Sequence, residues 1–409
     1  MPNSILEIAS RLYFANDGKK RSSRPAVRVA LAGIIVGILV MILTICIVVG
    51  FKQTVTDNIA GFDAHMQVVS FEYNDSYDLS PISVSDTMLA CIGRCEHVTS
   101  ASPFITKPGI LKTDSAFMGI VLKGTDYWSF FADKLVEGVL PIEPQQVLLS
   151  RAMARQLQLH VGDPVPCYFI DDKDVRARKL IISGLYDSGF SQYDDLFVVT
   201  PLETLRSIQK WEDHIYSGID IRIDDVANME VAFDDVCAKV ENHVNEEDYS
   251  FYLVKQLYEK NSTVFLWLDL LDMNVVIIIV LMLIVAGMNM VTGLIILILE
   301  SVQLIGTLKA LGANNSFIRR IFLTQASMLI VKGLIWGNVI GLGLAAMQYY
   351  FQLIPLESSV YYVNAVPIAF PWLWILLLNV IVVALGMLVL LLPSMIISKI
   401  NPAKVMHFE

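Results

Sequence analysis

Chemistry in a chain needs nucleophiles, acids or metal ligands at workable spacing, and few candidates occur here. Four adjacent acid pairs stand out: Asp171-Asp172, Asp194-Asp195, Asp224-Asp225 and Asp234-Asp235. Sequence neighbours diverge on a strand or a helix, so these pairs do not converge on one proton or cation and read as solvated surface. The six histidines, at 65, 97, 160, 214, 243 and 407, lack ligand spacing, and neither H-E-x-x-H nor G-x-S-x-G occurs. Cys91 and Cys95 lie four apart on an expected helix, where a strained disulfide or a metal pair competes with the plainer reading of packed thiols. No phosphate-cradling G-x-x-x-x-G-K-[ST] loop is encoded, so if nucleotide energy is used, a partner binds the nucleotide. The chain reads as non-catalytic, with no metal site.

The elements that position these residues are of two kinds. Of 409 residues, 55% are apolar and only 17% charged, with a mean hydropathy of +0.57, which excludes a soluble enzyme. The net charge of −10 argues against a nucleic-acid binder. It is unevenly spread: residues 52–265 hold 18 basic and 33 acidic side chains, and the remainder only 12 and 7. Val29–Phe51 is uncharged and, at about 1.5 Å per residue, covers the roughly 30 Å hydrocarbon core of a bilayer. Three further apolar runs lie at about 266–299, 321–351 (broken by Lys332) and 370–392. The expected fold is a polytopic α-helical membrane protein with four transmembrane helices and a large α+β extracytoplasmic domain, residues 52–265, inserted between helices 1 and 2. Segment 1–28, loop 300–320 and tail 393–409 carry the basic residues that flank the spans, and loop 352–369 carries none, so the first three are expected in the cytoplasm.

Within 52–265, AHMQVVSF, GILKT, FMGIVLKG, QVLLS, PVPCYFI, KLIISGLY, LFVVT and SGIDIRI read as strands. Ser83–Arg94, Arg151–Leu159, Pro201–Gln209 and Val226–His243 read as helices, and a β-rich lobe is expected at about 110–200. Leu253–Leu271 reads as a helical lever running into the second span. Between spans two and three, Val302, Ile305, Leu308 and Leu311 recur every third residue, giving a short apolar stripe that ends at Gly312. Such a helix either lies on the headgroups or docks into a groove on a cytoplasmic partner. Gly333, Gly337 and Gly341 form a small-xxx-small face for close helix packing.

The segment IGTLKALGANNSFIRRIFLTQ is similar to the stretch between the second and third spans of FtsX-like ABC-transporter permeases, and the tail NPAKVMHFE resembles the family's ending. GFKQTVTDNIAGFDAHMQV, VLLSRAMARQLQLHVGD, GLYDSGFSQYDDLFVVTPLETL and FLWLDLLDMNVVIIIVLMLIVAGMNMVTGLIILILE resemble the lipoprotein-releasing members. The chain departs from the family at Val302-Gln303-Leu304, where an Arg-Glu pair is common before Ile-Gly.

The resemblance implies a permease subunit in the inner membrane of a diderm bacterium. It would work with a cytoplasmic ABC ATPase dimer, a second permease subunit, a lipoprotein substrate and a periplasmic lipoprotein carrier, with ATP and Mg held by the ATPase. Under that reading Val302, Ile305, Leu308, Lys309, Leu311 and Gly312 are the ATPase-coupling candidates. Val40, Met41, Thr44, Ile47 and Val48, with Leu266, Leu270 and Met273, are the acyl-chain cavity candidates. Asp171, Asp172, Lys173 and Asp174 form the candidate carrier-binding loop. Two other readings remain: a signalling permease that regulates a cell-wall hydrolase, disfavoured by the large domain, and an efflux permease of the macrolide-exporter type, disfavoured by the 28 residues before the first span.

Overall fold

The computed structural model describes residues 24–71, 77–113, 116–170, 175–241, 252–356, 361, 363 and 365–394. The chain forms two compact units. Of the described residues, one unit, here the sheet unit, holds those within Gln53–Leu266 and Pro355–Ala365; the helical unit holds those from 24 to 52, Trp267–Ile354 and those from 366 to 394.

Among the described residues, the helical unit holds α1 (Arg24–Asp63, which continues into the sheet unit) and, numbered below after the sheet-unit helices, four more helices. The sheet-unit helices are α2 (Asp86–Ile92), α3 (Ser129–Asp133), α4 (Arg151–Leu157), α5 (Ser191–Asp194), α6 (Leu202–Gln209), α7 (Met229–Glu241) and α8 (Leu257–Lys260). The remaining ones are α9 (Ser262–Glu300), α10 (Val302–Ala310), α11 (Asn315–Phe351) and α12 (Trp372–Ser394). Among the described residues, α1, α9, α11 and α12 are long and apolar enough to cross a membrane.

Helix α1 does not stop at Phe51. Beyond Lys52 its apolar residues continue at helical spacing, with Val55, Ile59 and Phe62 all buried in the sheet unit, so packing carries the helix on to Asp63. Inside the helical unit, α1 is held by close approach. A Cβ on Gly333 would lie 2.5 Å from Ile34 Cγ2, and one on Gly337 would lie 2.8 Å from Ile38 Cβ; at Gly341 it would meet Leu39 Cα at 3.4 Å. Gly50 likewise admits the backbone of 367–369, and Ala369 N–H donates to the Cys46 carbonyl at 3.0 Å.

The sheet unit is built on strands β1 (Met66–Ser70), β2 (Ile82–Ser83), β3 (Val98–Lys112), β4 (Phe117–Thr125), β5 (Leu135–Gly138), β6 (Gln146–Ser150), β7 (Pro164–Ile170), β8 (Val175–Tyr186), β9 (Phe197–Thr200), β10 (Ile215–Tyr216), β11 (Gly218–Ile223) and β12 (Tyr252–Gln256). Ten of them form one sheet in the order β12-β1-β11-β3-β4-β9-β6-β8-β5, with β7 paired to β3 and β8; β10 pairs with β2. β4–β9 and β6–β8 are parallel and the other pairings antiparallel. Ser85 and Ser150 cap α2 and α4, their hydroxyls accepting from Met88 N–H and Met153 N–H.

Two expectations change. The strands of 110–200 are not a lobe apart: β3 is a single 15-residue strand that pairs with β11 at one end and with β4 and β7 further along. Leu253–Gln256 is strand, not the start of a helical lever, because Tyr252–Gln256 completes the hydrogen bonding of β1 at the sheet edge. The helix into the span begins only at Ser262, after the short α8.

Candidate functional site

The coupling stripe turns inward. Ile305 is fully buried and Gly306 buried in the helical unit's core, Val302, Leu308 and Lys309 are half-buried, and Leu311 is 81% exposed. The apolar stripe on α10 therefore packs its own bundle, alongside Ile318 and Phe322 of α11. The face left open carries Gln303, Thr307, Ala310 and Leu311, closed by Gly312, whose φ of +89° makes the turn that only glycine adopts freely. Docking on a partner is available to that open face, whereas Ile305 is a core residue.

The acyl-chain candidates separate in the same manner. Met41 is fully buried in the core around α1, and Val40, Thr44, Ile47 and Val48 are half-buried, with the Thr44 hydroxyl donating to its own helix at the Val40 carbonyl, 2.8 Å. Leu266, Leu270 and Met273 are all exposed on α9. The helical unit does hold an apolar groove of about 570 Å³, lined by α9 from Val280 to Thr292 and by Leu385 and Val389 of α12. Asp171, Asp172, Lys173 and Asp174 lie outside the described residues; Ile170 and Val175, which flank them at the ends of β7 and β8, are exposed.

Several groups had no signal in local sequence. Lys52 Nζ donates to Asp272 at 2.6 Å and lies 3.5 Å from Asp269, and Phe51 meets Trp267 edge-on at 5.5 Å, so α1 and α9 are paired there by charge and by ring contact. Asn338 of α11 and Asn379 of α12 exchange two amide hydrogen bonds, at 2.9 and 3.0 Å, each satisfying the other where water is scarce. All five cysteines are free thiols, with Cys95 buried and its Sγ donating weakly to the Cys91 carbonyl at 3.8 Å.

The end of α1 is set in the sheet unit by aromatic rings. Phe62 stacks on Tyr193 at 4.9 Å and meets Phe130 and Phe131 edge-on, each at 5.4 Å, with Tyr186 and Phe197 completing the socket. Next in sequence, Asp63 is buried and accepts from Lys260 Nζ at 2.8 Å and from the Tyr193 hydroxyl. Lys123 is buried too; it donates to Asp220 at 2.7 Å and to the Phe62 carbonyl, and burial pushes its ammonium below the usual lysine value against the pull of Asp220 and Asp63.

One acid pair also departs from its solvated reading. Asp195 is exposed, but Asp194 is buried, receiving the Ser188 hydroxyl at 2.6 Å. Burial pushes its carboxyl up to about 7, the Ser188 hydrogen bonds opposing and nearby Asp187 adding to the rise.

The chain has clear relatives. The FtsX-like permease C-terminal family matches residues 276–402 and the MacB-like periplasmic core domain matches residues 29–238. Over 401 residues, 93% of each chain, it is 22% identical to the lipoprotein-releasing system transmembrane protein LolC of Xylella fastidiosa strain Temecula1. Over 402 residues, 91% of this chain and 92% of the other, it is 22% identical to the corresponding LolE protein of Haemophilus influenzae. Among solved structures, the periplasmic region of MacB from Actinobacillus actinomycetemcomitans is similar over 51% of this chain and 97% of that one, with a TM-score of 0.36 and 17% identity. With the core-domain match spanning half of the sequence and the permease match much of the rest, the chain belongs to the FtsX-like ABC permeases that carry a MacB-like periplasmic core domain.

Proposed function

We propose that this chain is the permease subunit of a lipoprotein-releasing ABC transporter. It would take acylated lipoproteins from the outer leaflet of the inner membrane and pass them to a periplasmic carrier, using an ATPase dimer and a second permease subunit. The observation that carries this reading is the near end-to-end similarity to lipoprotein-releasing permeases, covering 93% of both chains. ATP and Mg belong to the ATPase, and this chain transmits force. The basic residues of segment 1–28, of loop 300–320 (Lys309, Arg319 and Arg320) and of the tail support a reading with those segments in the cytoplasm and the sheet unit in the periplasm.

The physical task fits an apolar helix face. At about 0.8 kcal/mol per buried CH₂, drawing one long acyl chain into water costs on the order of 10 kcal/mol, so the chains need apolar cover throughout. The exposed face of α9, with Leu270 and Met273 nearest its sheet-unit end, offers such cover, and ATPase closure against the open face of α10 would displace the bundle.

Reconstitution with the cognate ATPase and second permease in proteoliposomes tests this. ATP-dependent transfer of an acylated lipoprotein to the soluble carrier is expected. A complex that hydrolyses ATP yet transfers none, and instead responds to a cell-wall hydrolase, would replace this reading with the signalling one.

A further inference from the structure

Both helices that leave the sheet unit for the spans end at one buried polar node. Asp63 is the last residue of α1, and Lys260 and Asn261 immediately precede α9. Lys260 Nζ bridges Asp63 at 2.8 Å and Gln67 Oε1 at 3.1 Å. The Gln67 amide donates to Asp220 at 2.7 Å, and Asp220 accepts from Lys123, which also holds the Phe62 carbonyl at the end of α1. Tyr193 donates to Asp63 and lies 3.1 Å from Asn261 Oδ1, while the Asn261 carbonyl accepts from Val264 and Phe265 in the first turn of α9. Besides the backbone pairing of β1 with β12 and the Leu257 N–H to the His65 carbonyl at 3.0 Å, the two helix ends are joined through these charged, amide and phenol side chains.

Hydrophobic burial alone would fasten these ends more cheaply, since buried ion pairs gain little net stability over apolar packing. What ionic partners add is a choice of pairings. Lys260 already touches two acceptors, and a cavity of about 340 Å³, lined by Asp63, Gln67, Lys123, Tyr193, Lys260 and Asn261, gives the side chains and water room to change partners. Phe62, beside the node, is locked by the aromatic socket, so motion at the end of α1 is passed on to the sheet.

We propose that Asp63, Lys260, Lys123 and Tyr193 form a polar joint that passes displacement between α1 and α9 to the sheet unit, re-pairing during each ATP cycle. This rests on the transport reading for its cargo but not for its motion. The joint residues position the helix ends and touch neither cargo nor nucleotide.

The test uses the reconstituted full complex with Lys260→Met, which keeps side-chain length and removes the charge at a partly exposed position, and with Tyr193→Phe, which removes one hydroxyl. Three quantities are read: ATP hydrolysis, lipoprotein transfer, and the ATP-induced change in amide hydrogen exchange within Gln53–Leu266. The expected result is hydrolysis close to wild type, a melt lowered in Lys260→Met because Asp63 loses its cation but near wild type in Tyr193→Phe, transfer per ATP lowered about tenfold in both, the exchange change largely lost, and recovery in Lys260→Arg. Hydrolysis falling in step with transfer in both variants would make the node a structural fastener only and overturn the joint. An exchange change of full size in Lys260→Met overturns it whatever is transported. A wild-type complex that transfers no lipoprotein but shows the ATP-induced exchange change, abolished by Lys260→Met, would sink the transport reading and support the joint.

Discussion

Helices α1 and α9 both run between the helical unit and the sheet unit, yet they are packed in opposite ways. Half of the most apolar window of α1 is buried inside the chain, against 11% of that of α9. Shape accounts for the difference. Gly333, Gly337 and Gly341 of α11 let Ile34, Ile38 and Ile42 of α1 approach closely, and a Cβ on Gly37 of α1 would meet Ala286 of α9 at van der Waals distance. The rest of α9 turns Leu270, Met273, Val280, Ile284 and Met288 outward. Lipid tails are as apolar as leucine, so in a bilayer such a face costs nothing until something better covers it. Helix α1 is therefore held by fit within its own chain, and most of the apolar surface of α9 is left uncovered by that chain.

The strongest way to break this contrast is to overfill the α1 seam. Gly337→Leu puts carbon where Ile38 Cβ and the Ile35 carbonyl already stand, and should cost about 3 kcal/mol, read as a lowered melting temperature of the detergent-solubilised chain. An unchanged melt would show that α1 is not gripped there.

At the far end of α1, Asp194 follows Tyr193, the ring that stacks on Phe62. Its folded carboxyl sits at about 7, above the ordinary aspartate value, so its favourable state is the protonated one. The stability it lends is full below about pH 4 and is lost as pH rises through about 7. Asp194→Asn should flatten this slope and stabilise the protein at pH 8 by on the order of 2 kcal/mol. A variant whose melting follows the wild-type pH curve would contradict the buried, protonated assignment.

Next in size is the amide pair. Asn338→Leu strands Asn379 and should cost about 1 kcal/mol, with much of the loss recovered when Asn379→Leu is added. Additive losses in the double variant would deny the pair. Smallest of all, Met288→Ala on the open face of α9 should shift the melt by under about 0.5 kcal/mol, while the same change at the buried Met41 should cost about 2 kcal/mol or more. Equal costs at the two methionines would erase the contrast between the helices.

How legible each part was in the sequence depended on whether its partners were local. The apolar runs of α1, α9, α11 and α12 announce themselves because a span needs no distant partner to be recognised. QVLLS and PVPCYFI coincide with β6 and β7, strands whose pattern is short and bounded by turn residues. Only the last part of β3 is legible in the sequence because Pro103 and Pro108 interrupt the pattern, although both are accommodated in the pairing with β11 and β4. Leu253–Gln256 reads as helix in the sequence because its strand character comes from β1, far away in the chain. The α10 stripe was visible but its direction was not: an apolar stripe looks alike whether it faces a partner or its own bundle, and Ile305 faces the bundle. Asp63 and Lys260 are separated by 197 positions, so nothing local marks them as a pair.

The most direct test places a photoreactive group on α9. With the complex loaded with an acylated lipoprotein in the absence of ATP, a photoreactive side chain at Leu270 or Met273 should cross-link the lipoprotein's acyl chains, and one at Ile38 should not. Addition of ATP and carrier before illumination should abolish the cross-link. Cross-linking absent from α9 in a complex that still releases lipoprotein would contradict the assignment of cargo to this exposed face.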